Sequence, residues 1–285
     1  MSVRASQPTS CADINAVLQV LLSDVQAVLG DRFVGMYVQG SLASGDFAPQ
    51  RSDVDFVIVT AGELPDEILP ALRAMHAHLT ATGGKWATRL EGSYIPRHAL
   101  RRYDPARTRH PALRVDGSFD VDEHGSDWVI QRHVIREHGI TLAGPDPRDL
   151  IDPLKPDDLR WAASATLHEW WAPQLQDPFR LRDREYQAYA TLTMCRALYT
   201  LQHGTVVPKP VAARWTQETL GGRWAALIER ALAWPHDPQP DSLDETLDLV
   251  RYTLELSSQQ AGILAPSHRP SSQTPSRAGR SPPNH

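Results

Sequence analysis

The segment that most constrains this chain is 40–60, GSLASGDFAPQRSDVDFVIVT, which follows the apolar run 33–38. Residues 56–59 are β-branched or aromatic and contain no breaker, so the sequence predicts a strand led by Asp53 and Asp55. Strand side chains alternate between two faces, so these aspartates point to the same side, with Cα atoms roughly 7 Å apart. Two neighbouring carboxylates repel each other, and the pair therefore predicts a hard divalent cation such as Mg²⁺.

A second feature of this segment is the turn that precedes the aspartates. Gly40 and Ser41 stand where the first predicted strand ends and a short helix begins, and N–H groups and a hydroxyl at such a position bind phosphate. A phosphate turn beside a metal site suggests nucleotidyl transfer. An Asp-x-Asp pair alone is common and is more often part of an ordinary edge strand with exposed aspartates. The ordered set of Gly-Ser, a spacer with Gly45, and Ser52 before Asp-x-Asp is much more specific.

Composition and charge exclude several classes of protein. The 285 residues carry a net charge of −5, which disfavours nucleic acid as the main partner and favours a cationic small molecule. No apolar run is expected to reach the roughly 20 residues that span a membrane, and residues 1–15 lack the apolar core of a secretory signal. Cys11 and Cys195 are too few for a disulfide framework or a zinc site. We expect a cytoplasmic monomer without a membrane partner.

The pattern of breakers divides the chain into two predicted domains. Residues 12–155 indicate an α+β domain with a mixed sheet flanked by helices, and residues 156–264 indicate an all-α helical bundle. The Pro- and Asp-rich run 145–158 is the predicted junction. Residues 1–11 and 265–285 are predicted to be disordered. The bundle is predicted to contain five helices, at about 157–171, 183–203, 210–219, 223–234 and 241–264.

A third strand is predicted at about 86–95, beside the strand that carries the aspartates. Glu91 is then expected to join Asp53 and Asp55 at one end of the sheet, where neighbouring carboxylates raise its pKa and improve it as a base. The alternative is a strand glutamate that pairs with Arg89 or another cation. Residues 104–126 are predicted to form a polar loop, long enough to be functional or disordered.

Two cations and a tryptophan in the helical half are candidates for nucleotide contacts. Lys209 lies between two prolines that restrict its backbone, and it either holds a triphosphate or is an ordinary solvated lysine. Arg196 lies in an otherwise apolar helical stretch, so it needs an anion, which is either a phosphate or a structural carboxylate. Trp234 ends a helix and either stacks on a base or packs in the core.

At this point the chain resembles the aminoglycoside adenylyltransferases of the streptomycin/spectinomycin type, within the polymerase-β-like nucleotidyltransferases. The resemblance covers about 12–260 and includes both predicted domains. It rests on these motifs: Gly40-Ser41, Ser52-Asp53-Val54-Asp55, Leu90-Glu91, Arg136-Glu137-His138-Gly139, Leu142-Ala143-Gly144-Pro145, Asp152-Pro153, Leu192-Thr193-x-x-Arg196, Gly204, Pro208-Lys209 and Trp215. It implies a nucleotidyltransferase domain and a helical domain, with ATP and the acceptor bound between them.

The resemblance also implies a reaction and roles for residues. AMP passes from ATP to a hydroxyl of a cationic antibiotic, with Mg²⁺ as cofactor, release of pyrophosphate, and drug resistance as the result. By position, Asp53 and Asp55 match the Mg²⁺ ligands, and Glu91 matches the catalytic base and can also touch the metal. The positions implied to contact the nucleotide are Gly40, Ser41, Ser52, Arg196, Lys209 and Trp234. Two alternatives remain: a protein, tRNA or metabolite acceptor, and a nucleotide-sensing module without catalysis.

The acceptor side departs from the family pattern. Loop 104–126 has no tryptophan, and Phe119 is its nearest aromatic residue. At the start of the long helix, arginine and tyrosine stand where the family has acids. Phe119, Asp183 and Glu185 are therefore the candidates for acceptor contacts, and the resemblance leaves the identity of the antibiotic open.

Overall fold

The computed structural model describes residues 8–50, 52–234 and 242–264. The predicted disordered tail, 265–285, and residues 1–7 of the predicted disordered N-terminus lie outside these residues. The strands are β1 Phe33–Val38, β2 Val54–Thr60, β3 Leu90–Pro96, β4 Arg109–Leu113, β5 Phe119–Glu123 and β6 Ile140–Ala143. The α-helices are α1 Ala12–Leu29, α2 Gly40–Ser44, α3 Leu69–Thr82, α4 Arg97–Arg101, α5 Asp127–His138, α6 Pro147–Leu150, α7 Pro156–Thr166, α8 Ala172–Gln174, α9 Arg184–His203, α10 Lys209–Leu220, α11 Ala225–Ala233 and α12 Leu243–Leu264. A π-helical turn, Leu167–Trp171, joins α7 to α8.

The six strands form one mixed sheet in the order β5-β4-β3-β2-β1-β6. Strands β2 and β3 are parallel, and every other neighbouring pair is antiparallel. The antiparallel pairing of β1 with β2 brings the end of β1 beside the start of β2. The short helix α2, which follows β1, therefore lies at the same edge of the sheet as the start of β2 and β3. The predicted α+β class is confirmed.

Both faces of the sheet are covered, which is why the central strand β2 is almost continuously apolar. One face packs under α1 and α3. The other face packs against a smaller cluster to which α4, α5 and α6 contribute. Burial on two faces explains why the run Phe56–Val59 has no polar alternation, and it leaves the polar side chains of the sheet to collect at its edge.

Helix α1 corrects one expectation from the sequence. Ala12–Arg32 is long and apolar enough, by length and composition, to pass as a membrane span, with a mean hydropathy of 1.3. In the fold, Ile14, Leu18, Leu21 and Val25 are fully buried in the core beneath the sheet. Their spacing of three and four residues is that of an amphipathic core helix.

The C-terminal half is helical, and the predicted bundle is confirmed. Helix α9 lies at its centre and packs against α7, α10, α11 and α12. Met194 and Cys195 of α9 are fully buried in the single apolar cluster of this half. The exact division of the chain into domains at residue 155 stays a prediction.

The predicted loop at 104–126 is wrong in part, because most of it forms a β-hairpin. Strands β4 and β5 pair from Arg109↔Glu123 to Leu113↔Phe119. The turn contains Asp116 and Gly117, and Gly117 has a φ of +80°. An Asp-Gly pair between segments with strand character is a hairpin signal that was present in the sequence. The hairpin extends the sheet at the edge next to β3.

Candidate active site

The sheet register brings three carboxylates to one edge. Asp55 on β2 lies directly opposite Glu91 on the parallel strand β3, and Asp53 immediately precedes β2. The backbone N–H of Gln39 donates to the Asp55 carbonyl at 3.0 Å, which holds the start of α2 beside the same strand. The predicted meeting of Glu91 with the aspartates is therefore confirmed as a position, while its role as a base stays a prediction.

The backbone of Gly40 packs directly against this carboxylate cluster. It has a φ of +61°, a left-handed conformation that favours glycine. A Cβ on this residue would overlap the Asp55 carboxylate. The glycine therefore lets the backbone of the Gly-Ser turn pack directly on a side chain of the candidate metal site.

The three carboxylates share an environment that disfavours their charge. Burial, and after it the charge of Asp53, raise the pKa of Asp55 to about 6. Burial, then Asp55 and Asp53, raise the pKa of Glu91 to about 7. The pKa of Asp53 is also raised, by burial first and by Glu185. Negative charge concentrated at one sheet edge is an environment suited to a bound cation.

The segment between α2 and β2 is held by a local network that also answers a question left open by the sequence. Ser52 Oγ accepts from the Ala48 N–H at 3.0 Å. Arg89 donates to the carbonyls of Pro49, Gln50 and Ser52 at 3.1–3.3 Å. The alternative that Glu91 pairs with Arg89 is therefore wrong, because the guanidinium is engaged by this segment.

The helical half faces the carboxylates across one cleft of ≈ 950 Å³. Both Lys209 and Arg196 line it, and the positive charge of each lowers the pKa of Asp55. The Lys209 ammonium also lies 4.7 Å from the centre of the Tyr189 ring. Lys209 is thus half-buried in the cleft wall at the start of α10 and is not a solvated loop residue.

All of the residues predicted to contact a nucleotide line this cleft. They are Gly40, Ser41, Ser52, Arg196, Lys209 and Trp234. Trp234 is half-buried at the end of α11, and the Arg184 guanidinium lies 5.6 Å from the centre of its ring. Their roles in binding stay predictions.

The residues at the sheet edge fit a magnesium ion that is bound by both protein carboxylates and phosphate oxygens of a substrate. Among residues 8–50, 52–234 and 242–264, no group of three or more His, Cys, Asp or Glu side chains is arranged to hold a metal ion. Mg²⁺ is typically bound by one or two carboxylates together with water and substrate phosphates, so Asp53 and Asp55 suffice. The prediction that Glu91 is a third ligand gains no support from this geometry.

The acceptor candidates have mixed outcomes. Phe119 is wrong as an acceptor contact, because it is 5% exposed in the core and stacks on His76 with ring centres 5.2 Å apart. Asp183 lines the cleft, but its carboxylate caps α9 by accepting from the Tyr186 N–H at 3.0 Å. Glu185 lines the cleft with an exposed side chain.

Sequence reasoning missed two acids, one at the end of β5 and one at the start of α5. Glu123 and Asp127 line the cleft, and burial, with the Glu169 charge as a further cause, raises the pKa of Asp127. The adjacent Ser126 hydroxyl donates to Glu169 at 2.8 Å, which joins α5 to the π-helical turn of the helical half. The signal available in the sequence was the acidic residue in the first turn of a predicted helix, which is also an ordinary helix start.

Two family models match the chain. Residues 24–88 match the nucleotidyltransferase domain, and residues 149–259 match the C-terminal domain of aminoglycoside adenylyltransferase. With the mixed sheet, the carboxylate edge and the helical half, these matches define a two-domain nucleotidyltransferase, an enzyme of the adenylyltransferase type. As its motifs predict, the chain carries the C-terminal domain of the aminoglycoside adenylyltransferase family.

The relatives are distant but cover most of the chain. An aminoglycoside (3'') (9) adenylyltransferase of Escherichia coli is 25% identical over 261 residues, which span 85% of this chain and 94% of the relative. A spectinomycin 9-adenylyltransferase of Campylobacter jejuni is 24% identical and covers 74% of this chain and 81% of its own length. The crystal structure of spectinomycin adenyltransferase AAD(9) from Enterococcus faecialis with ATP and spectinomycin has the same fold, with a TM-score of 0.68 at 17% identity; the match covers 84% of this chain and 98% of that one.

Proposed function

We propose that this chain is an ATP- and Mg²⁺-dependent adenylyltransferase. It transfers AMP to a hydroxyl of a cationic aminoglycoside or aminocyclitol antibiotic, releases pyrophosphate and confers resistance. The observation that carries the proposal is the convergence of Asp53, Asp55 and Glu91 with Arg196 and Lys209 in one cleft. The match to the family's C-terminal domain and the names of the relatives support the same reaction.

The proposed chemistry divides the work between the two halves. Asp53 and Asp55, together with phosphate oxygens, would hold Mg²⁺, which would supply positive charge against the charge that develops on the phosphate oxygens. Arg196 and Lys209 neutralise the triphosphate from the helical side. Glu91 takes the proton of the acceptor hydroxyl while the hydroxyl oxygen bonds to the α-phosphorus. Pyrophosphate leaves with the electrons of the bond that joined it to the α-phosphorus.

The acceptor half of the cleft is suited to a cation. The carboxylates of Glu123, Asp127 and Glu185 line the cleft together with the aromatic ring of Trp128. Acidic side chains beside aromatic faces attract an amine-bearing ring system by Coulomb and cation–π interactions. An antibiotic with several amines therefore fits better than a nucleic acid, whose phosphates the same acids would repel.

The test is pyrophosphate release with Mg·ATP across a panel of aminoglycosides and aminocyclitols, with mass spectrometry of the AMP ester. We expect release with at least one drug, no release after chelation of the metal, and drug-specific growth of a susceptible host that expresses the chain. Release only with protein, tRNA or a metabolite would support a non-antibiotic acceptor. ATP binding without pyrophosphate release with any acceptor would support a nucleotide-sensing module.

We further propose that the protein is a cytoplasmic monomer whose two domains divide near residue 155.

Lys209→Ala tests the nucleotide side of the cleft. Loss of a cation that faces a triphosphate should weaken ATP binding by about 10- to 100-fold, because the partner charge remains in a partly desolvated site. Isothermal titration calorimetry measures the affinity, and Lys85→Ala, which removes an exposed lysine above Trp86, is the matched control. Unchanged ATP affinity in Lys209→Ala would refute the proposed contact.

Gly40→Ala tests the close packing of the Gly-Ser turn on Asp55. The added Cβ would displace the carboxylate, and a displacement of about 1 Å at a catalytic group can cost on the order of 100-fold in kcat/KM. Gly45→Ala is the control, because Gly45 also has a positive φ, of +80°, but no atom lies within 4 Å of a Cβ there. Gly45→Ala should lose only about 1–2 kcal/mol of stability from backbone strain. Equal kinetic losses in both variants would show that the overlap with Asp55 is irrelevant.

A further inference from the structure

Asp46 joins the Gly-Ser turn to the helical half. The backbone N–H of Lys209, the first residue of α10, donates to Asp46 Oδ2 at 3.2 Å, although the two residues are 163 positions apart in sequence. The backbone N–H of Asp46 in turn donates to the carbonyl of Ser41 at 3.1 Å. A single residue therefore connects the turn that begins at Gly40 with the start of the helix that carries Lys209.

The sequence around α10 explains why this contact comes from another part of the chain. Helices usually receive a cap from the side chain of the residue that precedes them, but here that residue is Pro208, whose side chain has no acceptor. Pro210 has no N–H, and the Ala212 N–H is already bonded to the Pro208 carbonyl at 3.1 Å. The carboxylate of Asp46 takes the place of the missing cap, and the helix dipole favours its charge.

The second oxygen of Asp46 makes the contact costly. Asp46 lines the cleft, and its Oδ1 is buried without a hydrogen-bond partner in the described part of the chain. A buried acceptor without a donor is unfavourable, and a negative charge in a cleft that receives a triphosphate repels the ligand. A favourable interaction must therefore offset the unpaired oxygen and the repulsion of the triphosphate. The contact that can do so is the hydrogen bond from the Lys209 N–H to Asp46 Oδ2.

We propose that Asp46 is a positioning residue for nucleotide binding. It sets the backbone of Lys209 relative to Gly40 and Ser41, so that the Lys209 ammonium and the Gly-Ser turn reach the same triphosphate. The inference rests on the proposed function, because it assumes that ATP occupies the cleft. It concerns affinity in the ground state, so its effect belongs in the dissociation constant and KM of ATP and not in kcat.

The test compares the affinity for Mg·ATP, measured by calorimetry, of the full-length protein and its variants. In Asp46→Ala we expect roughly tenfold weaker binding, the size expected for losing a charge-assisted hydrogen bond. In Asp46→Asn we expect binding at least as tight as in the parent. The amide oxygen still accepts from the Lys209 N–H, and the charge that repels the triphosphate is gone.

Two controls separate positioning from helix capping. Asp146 caps α6 within its own segment, where its carboxylate accepts from the Arg148 N–H at 2.8 Å. Asp146→Ala should therefore lower the thermal midpoint without changing ATP affinity. In the double variant Asp46→Ala with Pro208→Asp, a local cap is restored without the connection to the Gly-Ser turn, so stability should recover and ATP affinity should not.

The outcomes are distinguishable. If the parent protein fails to bind ATP, the proposed function fails. If the parent binds ATP and Asp46→Ala binds it equally well, only the role of Asp46 is overturned. Equal weakening by Asp46→Ala and Asp46→Asn would also overturn it, since the charge and not the contact would then matter. Recovery of ATP affinity in the double variant would reduce Asp46 to a helix cap. If Asp46→Ala does not fold, the affinity of Asp46→Asn decides.

Discussion

Asp53→Asn and Asp55→Asn should each lower kcat/KM for AMP transfer by at least about 1000-fold, the upper range for removing a group that stabilises transition-state charge. The amide keeps the shape of the side chain but no longer supplies the negative charge that a hard cation requires. Pyrophosphate release at saturating Mg²⁺ measures the effect. Asp66→Asn, which changes an exposed aspartate before α3, is the matched control.

Although Asp55→Asn should abolish most of the activity, it should increase the stability of the metal-free protein. Because the folded protein raises the pKa of Asp55 to about 6, the ionised carboxylate destabilises the fold, and stability falls as the pH rises from the ordinary range of an aspartate through 6. At pH 7 without metal, Asp55→Asn should therefore raise the thermal midpoint. Mg²⁺ with ATP should stabilise the parent and not the variant. A variant that is inactive and also destabilised would indicate a structural role for Asp55 in place of metal binding.

Glu91→Gln should lower kcat by about 10²- to 10⁴-fold, the range for loss of a general base. A base acts in its deprotonated form, so the rate of the parent should fall as the pH falls through the pKa of Glu91. That pKa is about 7 without metal and is lower when a cation is bound. The pH profile of pyrophosphate release measures this limb, which should be absent in the variant.

The affinity for Mg·ATP distinguishes whether Glu91 acts only as the base or also binds the metal. If Glu91 acts only as the base, Glu91→Gln should bind Mg·ATP as tightly as the parent does. Glu67→Gln, which changes an exposed glutamate before α3, should leave both rate and affinity unchanged. An intact acidic limb in the profile of Glu91→Gln would assign the proton transfer to another group.

Most of the carboxylate edge could be predicted from the sequence because it depends on local rules. Alternation along a strand orients Asp53 and Asp55, and an uninterrupted β-branched and aromatic run predicts the strand that carries them. The position of Glu91 required one further assumption, that its strand neighbours β2, and the parallel register of Asp55 with Glu91 confirms it. Family motifs, and not the residues alone, linked Arg196 and Lys209 to the same cleft.

The acceptor side could not be predicted because it depends on packing. In a loop, Phe119 would be free to contact a ligand. In the structure it is the first residue of β5 and pairs with Leu113, and this pairing places its ring in the core beside His76 and Tyr94. Asp127 looks like an ordinary acidic residue at a helix start until the fold brings it to the cleft wall near Glu169. Such positions are decided by contacts between segments far apart in the chain.

By itself, the segment 40–60 determined a glycine-serine turn, a carboxylate pair and the strand behind them, because each follows from short-range backbone and side-chain preferences. The tertiary structure alone decided which groups this segment meets. The Asp55 carboxylate packs against Gly40, Arg89 binds the carbonyls of the connecting segment, and Asp46 accepts from Lys209. These contacts join residues separated by 15 to 163 positions. The pairing of the strands brings the first two within hydrogen-bond or van der Waals distance, and the packing of the two halves brings the third.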